Sequence, residues 1–125
     1  MRFTTSVLTL RDVKRGESVG YGGRWVAQRD SRIATLPVGY ADGYPWAARD
    51  GAPIGIADHI APLAGRVSMD MVTVDVTDCA HIEVGVPAVL WGSQPSVDEV
   101  AEHCNTIGYE LMTRVTSRVP RCYHP

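Results

Sequence analysis

Turn-forming residues recur so closely through the first two thirds of the chain that no long helix fits there. This spacing constrains the fold more than any other feature. The segments between the turns are short and rich in β-formers. Residues 6–13 read as a first strand, closed by the turn Lys14-Arg15-Gly16. Residues 17–21 read as a second that ends in Gly22-Gly23, with 24–28 continuing beyond it. Residues 32–38 are a third, where Pro37 places the end at an edge or bulge because it lacks an N–H for the ladder. Further short strands are expected at 52–56 and 60–63, and no repeat or low-complexity linker interrupts the series.

The next run, 66–76, carries an irregularity. Val67, Met69 and Met71 share one face at the β period, whereas Val72, Val74 and Val76 occupy the other. A bulge or bend near residues 69–72 would resolve the conflict and free backbone N–H groups that a regular ladder consumes.

Helical signals come late. Ser96 followed three residues on by Glu99 is a capping box, and Val97, Val100, Ala101 and Cys104 form an apolar stripe. That helix should stop near Asn105. A shorter helical turn is expected over 109–114 and a terminal strand over 116–123. Residues 1–125 therefore make one mainly-β domain, a small β-barrel-like or strongly curved sheet with one or two short helices.

Composition excludes several classes of function. With 45% hydrophobic and 21% charged residues the chain has a soluble, globular profile. A formal net charge of -2 provides no electrostatic attraction to nucleic acid. No apolar run approaches the roughly 20 residues needed to cross a bilayer, so no membrane contact is expected. The first residues lack the apolar core of a signal peptide. Cys79, Cys104 and Cys122 are odd in number and far apart, and read as reduced thiols of a cytoplasmic protein. The four histidines are scattered without metal-ligand spacing, so no metal site is expected.

Three places look more like sites than core. Tyr21 stands between glycines in Val19-Gly20-Tyr21-Gly22-Gly23, so other groups can approach its phenol closely. A free phenol is ionised only about once per thousand molecules at neutral pH, and acts as a base only beside a cation or strong donor. The same pattern also reads as a tyrosine packed over a glycine bend. The loop Gly39-Tyr40-Ala41-Asp42-Gly43 is polar and aromatic, suited to line a pocket, or equally a surface turn held by Asp42. Gly65-Arg66-Val67-Ser68-Met69-Asp70 lies at the phase change, where freed N–H groups can bind a carboxylate, or where a bulge is merely structural.

Taken in order, the strings ESVGYGG, PVGYADGYP, LAGRVSMDM and TIGYELMTRVTSRVPR closely resemble the C-terminal domain of alanine racemases, over about residues 6–123. The resemblance implies an isomerase that interconverts L- and D-alanine with pyridoxal 5'-phosphate, supplying D-alanine for peptidoglycan precursors. The cofactor would be held by an N-terminal (β/α)8 barrel lying outside these residues. In such enzymes a homodimer brings the tyrosine base of one subunit's C-terminal domain to the other's barrel. By resemblance that base is Tyr21, and the backbone N–H of Met69 contacts the carboxylate of the small amino-acid substrate. Tyr40, Arg66 and Asp70 fall at the substrate entryway. Ser117 occupies a position where many members carry a tyrosine bonded to the cofactor phosphate; a serine hydroxyl reaches less far, which leaves that contact weak.

The one lysine, Lys14, lies in a solvated turn and is not expected to form a Schiff base, so no covalent cofactor is expected in this chain. The isolated domain is accordingly expected to fold without racemising. Exposed Tyr21, Trp25, Tyr40 and Met69 are expected to form an apolar interface. Two other readings stay open: a broader-specificity amino-acid racemase, and a non-catalytic β-domain for dimerisation or partner binding.

Overall fold

The computed structural model describes residues 2–19, 25–104 and 108–115, excluding the side chain of Tyr109. Tyr21, Ser117 and the strand expected over 116–123 lie outside the described residues.

The run expected as one strand over 6–13 is two. β1 (Phe3–Ser6) pairs antiparallel with β9 (Pro87–Trp91), and β2 (Thr9–Val13) pairs antiparallel with β5 (Ser31–Leu36). The change of partner falls at Val7, which is buried. Its N–H donates to Val86 O at 3.0 Å and its carbonyl accepts from Gly85 N–H at 2.8 Å. Leu8 N–H already donates to Thr35 O at 2.8 Å, on the other sheet. Sequence pattern carries β propensity through this point but holds no information on the partner.

β3 (Ser18–Val19) and β4 (Trp25–Val26) form a two-stranded ribbon on either side of residues 20–24. β6 (Pro53–Ile56) and β7 (His59–Pro62) make a hairpin whose first strand also pairs with β9. β8 (Val72–Asp75) completes a second sheet against β5. The orders are β1-β9-β6-β7, β2-β5-β8 and β3-β4. Among the described residues these sheets stay open. The two larger ones meet at the isolated Leu63–Val74 bridge, and again where β1 runs into β2. The mainly-β expectation holds, and barrel-like fits only as a loose description of this curvature.

Burial follows the strand period. In β8, Val72 and Val74 are buried while Thr73 and Asp75 are half-buried. Together with Leu36, Ile54, Leu90 and Trp91 they sit in the main core. Each such aliphatic side chain contributes roughly 1.5–3 kcal/mol on leaving water. β5 is buried on both faces: Ala34 and Leu36 enter that core, whereas Ile33 packs in a smaller cluster with Val13, Val19, Ala27 and Ala64. Trp25 lies half-buried against the smaller cluster rather than standing free.

α1 (Val97–Glu102) begins at the capping box: Glu99 N–H donates to Ser96 Oγ at 3.2 Å and Ser96 N–H to Glu99 Oε1 at 3.3 Å. Its stripe buries Val100 and Ala101, with Val97 and Cys104 half-buried against the core. Arg49 closes the other end, its guanidinium donating to His103 O and Glu102 O, both at 3.2 Å. α2 (Gly108–Arg114) is the second helix expected from sequence.

Candidate functional site

The apolar phase change marks a turn. Only residues 72–75 of the expected 66–76 strand join a ladder. Ahead of them Ser68 N–H donates to Met71 O at 3.0 Å, and Met71 N–H donates to Ser68 Oγ at 3.0 Å. Ser68 Oγ donates in turn to Met71 O at 2.8 Å. Further back, Gly65 N–H donates to Asp50 Oδ1 at 2.9 Å, which anchors the segment's entry. With its polar groups turned on themselves, the segment lifts Met69 and Asp70 out of the sheet into solvent.

The loop that meets this turn is built by the Gly39–Gly43 sequence. Residues Tyr40–Asp42 form one turn of 3-10 helix. Asp42 closes it from both sides: its Oδ2 accepts the Gly39 N–H at 3.0 Å, and its own N–H donates to Gly39 O at 3.0 Å. Gly43 then takes φ 105°, a left-handed conformation that costs glycine little.

Two backbone hydrogen bonds join loop and turn. Tyr40 N–H donates to Ser68 O and Ala41 N–H to Met69 O, each at 3.0 Å. Gly39 allows this approach, since a Cβ there would sit 2.2 Å from Ser68 O and 2.4 Å from Met69 O. The contact also fixes a direction. Ser68 C=O and Met69 N–H belong to one planar trans peptide, so they point to opposite sides. With the carbonyl bound to Tyr40, the Met69 N–H is aimed away from the loop. It donates to no acceptor among the described residues.

A cleft of about 330 Å³ opens here, lined by Tyr40, Trp46, Val67, Ser68 and Met69. A second recess of about 230 Å³ shares Tyr40 and Trp46 and reaches Arg114 at the end of α2. Tyr40, Met69 and Trp46 are 43%, 53% and 64% exposed, so the mouth is open and mainly apolar. Of the residues singled out from sequence, the structure brings Tyr40 and Met69 together. Arg66 and Asp70 are exposed on the same segment without lining the cleft. Trp46 and Val67 were not foreseen as lining residues; the unusual tryptophan directly after Gly43-Tyr44-Pro45 was the available signal for the first.

Lys14 is exposed in its turn, where its backbone N–H donates to Glu17 Oε1 at 2.9 Å. No helix among the described residues is long and apolar enough to cross a membrane, and no group of metal-ligating side chains gathers among them.

Residues 1–123 match the family model described as alanine racemase, C-terminal domain. Two curated relatives are the alanine racemase of Stutzerimonas stutzeri, 55% identical, and the biosynthetic alanine racemase of Pseudomonas aeruginosa, 53% identical. Each comparison covers 98% of this chain and 34% of the relative, so the chain spans about a third of their length. Among solved structures, the biosynthetic alanine racemase from Pseudomonas aeruginosa superposes with a TM-score of 0.97 at 52% identity, over 100% of this chain and 35% of that one. Alanine racemase from Bartonella henselae with covalently bound pyridoxal phosphate gives a TM-score of 0.92 at 31% identity, over 98% of this chain and 34% of that one.

Proposed function

The chain belongs to the alanine racemase family as its C-terminal domain, and from that premise we propose that it serves a longer, homodimeric, cytoplasmic enzyme interconverting L- and D-alanine. The N-terminal barrel of that enzyme carries the cofactor, and D-alanine for peptidoglycan precursors is the product of use. The single observation that supports this best is the cleft where Tyr40 flanks an outward-aimed Met69 N–H.

In this reading Met69 N–H donates to the substrate carboxylate and so fixes the α-carbon relative to the domain. The hydrogen bond already made by the Ser68 carbonyl polarises that peptide and strengthens its donor end. Tyr40 narrows the way in, with Arg66 and Asp70 charging its outer part. Tyr21 is the base that exchanges the α-proton on one face. Its phenol needs a neighbouring cation to work near neutral pH, and the barrel supplies it. Placement within hydrogen-bond reach matters more than intrinsic basicity.

This chain's residues do not fit covalent attachment of pyridoxal phosphate, since Lys14 is solvated and distant in character from a desolvated amine. Bound on the barrel, pyridoxal phosphate would supply an electron sink for the α-carbon. By family resemblance Ser117 would make a weak contact with its phosphate.

The test is Tyr21→Phe in the full-length protein. Racemisation should fall by about 10²–10⁴-fold, with α-proton exchange lost from one enantiomer and the cofactor absorbance near about 420 nm retained. Wild-type turnover in this variant, or joint loss of cofactor and activity, would overturn the assignment of the base.

A further inference from the structure

Asp42 touches neither the cleft nor the Met69 N–H, yet it holds the turn through which both are set. Its carboxylate accepts the Gly39 N–H, and its N–H returns to the Gly39 carbonyl. This closed turn leaves the N–H groups of Tyr40 and Ala41 as its forward donors, spent on the carbonyls of Ser68 and Met69. Each of those carbonyls is half of a planar peptide, so a rotation of the loop is transmitted to the N–H on the opposite edge. From this geometry we infer that Asp42 is a positioning residue for the proposed racemase, setting the direction of the Met69 N–H and thereby affinity for the substrate carboxylate.

The coupling has little slack. The Gly39 backbone lies against the Ser68–Met69 peptide with no room for a methyl group. At the loop's other end, a Cβ on Gly43 would meet the Arg114 carbonyl and the Val115 Cα, both at 2.5 Å. A loop packed this closely at both ends has little room to relax when its internal bond is cut, so its strain falls on the two hydrogen bonds to the Ser68 and Met69 carbonyls. Removing the Asp42 oxygen therefore misaims a donor rather than removing one. Hydrogen bonds weaken steeply as the donor angle closes, so binding of a carboxylate should suffer before any chemical step does.

This inference rests on the proposed racemase reading, and its experiment separates the two. Asp42→Ala and Asp42→Asn are compared with wild type in the full-length holoenzyme, with alanine as substrate and propionate as a carboxylate probe lacking an amine. Asp42→Ala should raise KM for alanine and the propionate inhibition constant together, each about 10-fold, the factor that 1.4 kcal/mol represents. The cofactor absorbance should stay within about twofold of wild type, and turnover at saturation should fall by less than KM rises. Asp42→Asn keeps an acceptor oxygen at the same reach and should restore both constants. Asp42→Ser, small and polar but too short to reach Gly39 N–H, carries the same expectation should the alanine variant fail to fold. Unchanged propionate affinity in Asp42→Ala or Asp42→Ser overturns the inference alone. Equal behaviour of Asn and Ala at this position overturns it too. A wild-type holoenzyme that does not racemise alanine overturns the parent reading first.

Discussion

Gly43 and Val115 meet backbone to backbone: a Cβ placed on Gly43 would lie 2.5 Å from the Val115 Cα and 2.5 Å from the Arg114 carbonyl oxygen. The last turn of α2 thus seats directly on the loop that carries Tyr40. Two costs coincide for any side chain here. The φ of 105° is unfavourable to L-residues, and the neighbouring atoms are backbone, which cannot swing aside. Gly43→Ala should therefore lower stability by roughly 2–4 kcal/mol, combining strain with overpacking. Urea unfolding followed by tryptophan fluorescence measures it, and a loss below about 1 kcal/mol would show that the helix end yields.

Ser96 is the simplest local test of the helical region. Its hydroxyl accepts the Glu99 N–H and Glu99 reaches back to the Ser96 N–H, so Ser96→Ala leaves the Glu99 N–H to water while the return bond can persist. A loss of about 1 kcal/mol is expected. Glu99→Ala should cost less, because it removes the longer return bond, at 3.3 Å, and puts the best helix former in its place. The ordering of the two variants in urea denaturation tests the reciprocal bond more sharply than either value.

That helix was legible because a capping box and a 3.6-residue stripe are local signals, complete within the nine residues from Ser96 to Cys104. The turn at residues 68–71 was legible for a related reason, since an apolar face cannot change sides without breaking the ladder. What escaped were facts of partnership. Nothing in residues 6–13 says that β1 and β2 belong to different sheets, because Val7 is apolar on either account. β9 went unseen behind Pro87, although its Ala88, Leu90 and Trp91 are buried in the main core. Within the site, Asp42 was legible as a turn former, but its hold over Ser68 and Met69 depends on a contact between distant segments. Trp46 likewise gained its place at the cleft only from the fold.

Arg29 and Asp78 offer a titration with a clear sign. They pair at 2.7 Å with both side chains in solvent. The Arg29 guanidinium, by hydrogen bond first and charge second, holds the Asp78 carboxyl below its ordinary value of 3.8. A lowered carboxylate pKa means that the unfolded chain binds the proton first as pH falls. The contribution is fully present above the ordinary carboxylate value and is lost as pH drops through the folded one. Exposure and salt screening keep it small. Carboxyl NMR should find Asp78 titrating low, returning to the ordinary range in Arg29→Ala or at about 1 M salt. An unshifted Asp78 in the wild type would show that the pair is not populated in solution.

Tyr44 points to the opposite outcome, a substitution that should not hurt. Its ring stacks on Trp91 with centroids 6.3 Å apart, and neither its hydroxyl nor the Trp91 Nε1 finds a partner among the described residues. A buried hydroxyl without an acceptor carries its desolvation penalty uncompensated. Tyr44→Phe keeps the ring and removes that penalty, so stability should hold or rise by up to about 1 kcal/mol. Burial, with a smaller effect from Cys104, also pushes the phenol well above its ordinary value of 10.0. The unfolded chain then loses this proton at lower pH than the folded one. Stability falls as pH climbs past the ordinary phenol value, and Tyr44→Phe should flatten that fall. Paired urea curves at neutral and alkaline pH measure both effects. A destabilisation of more than about 1 kcal/mol at neutral pH would mean that the hydroxyl is bonded after all, and that its partner contributes to the core beneath the cleft.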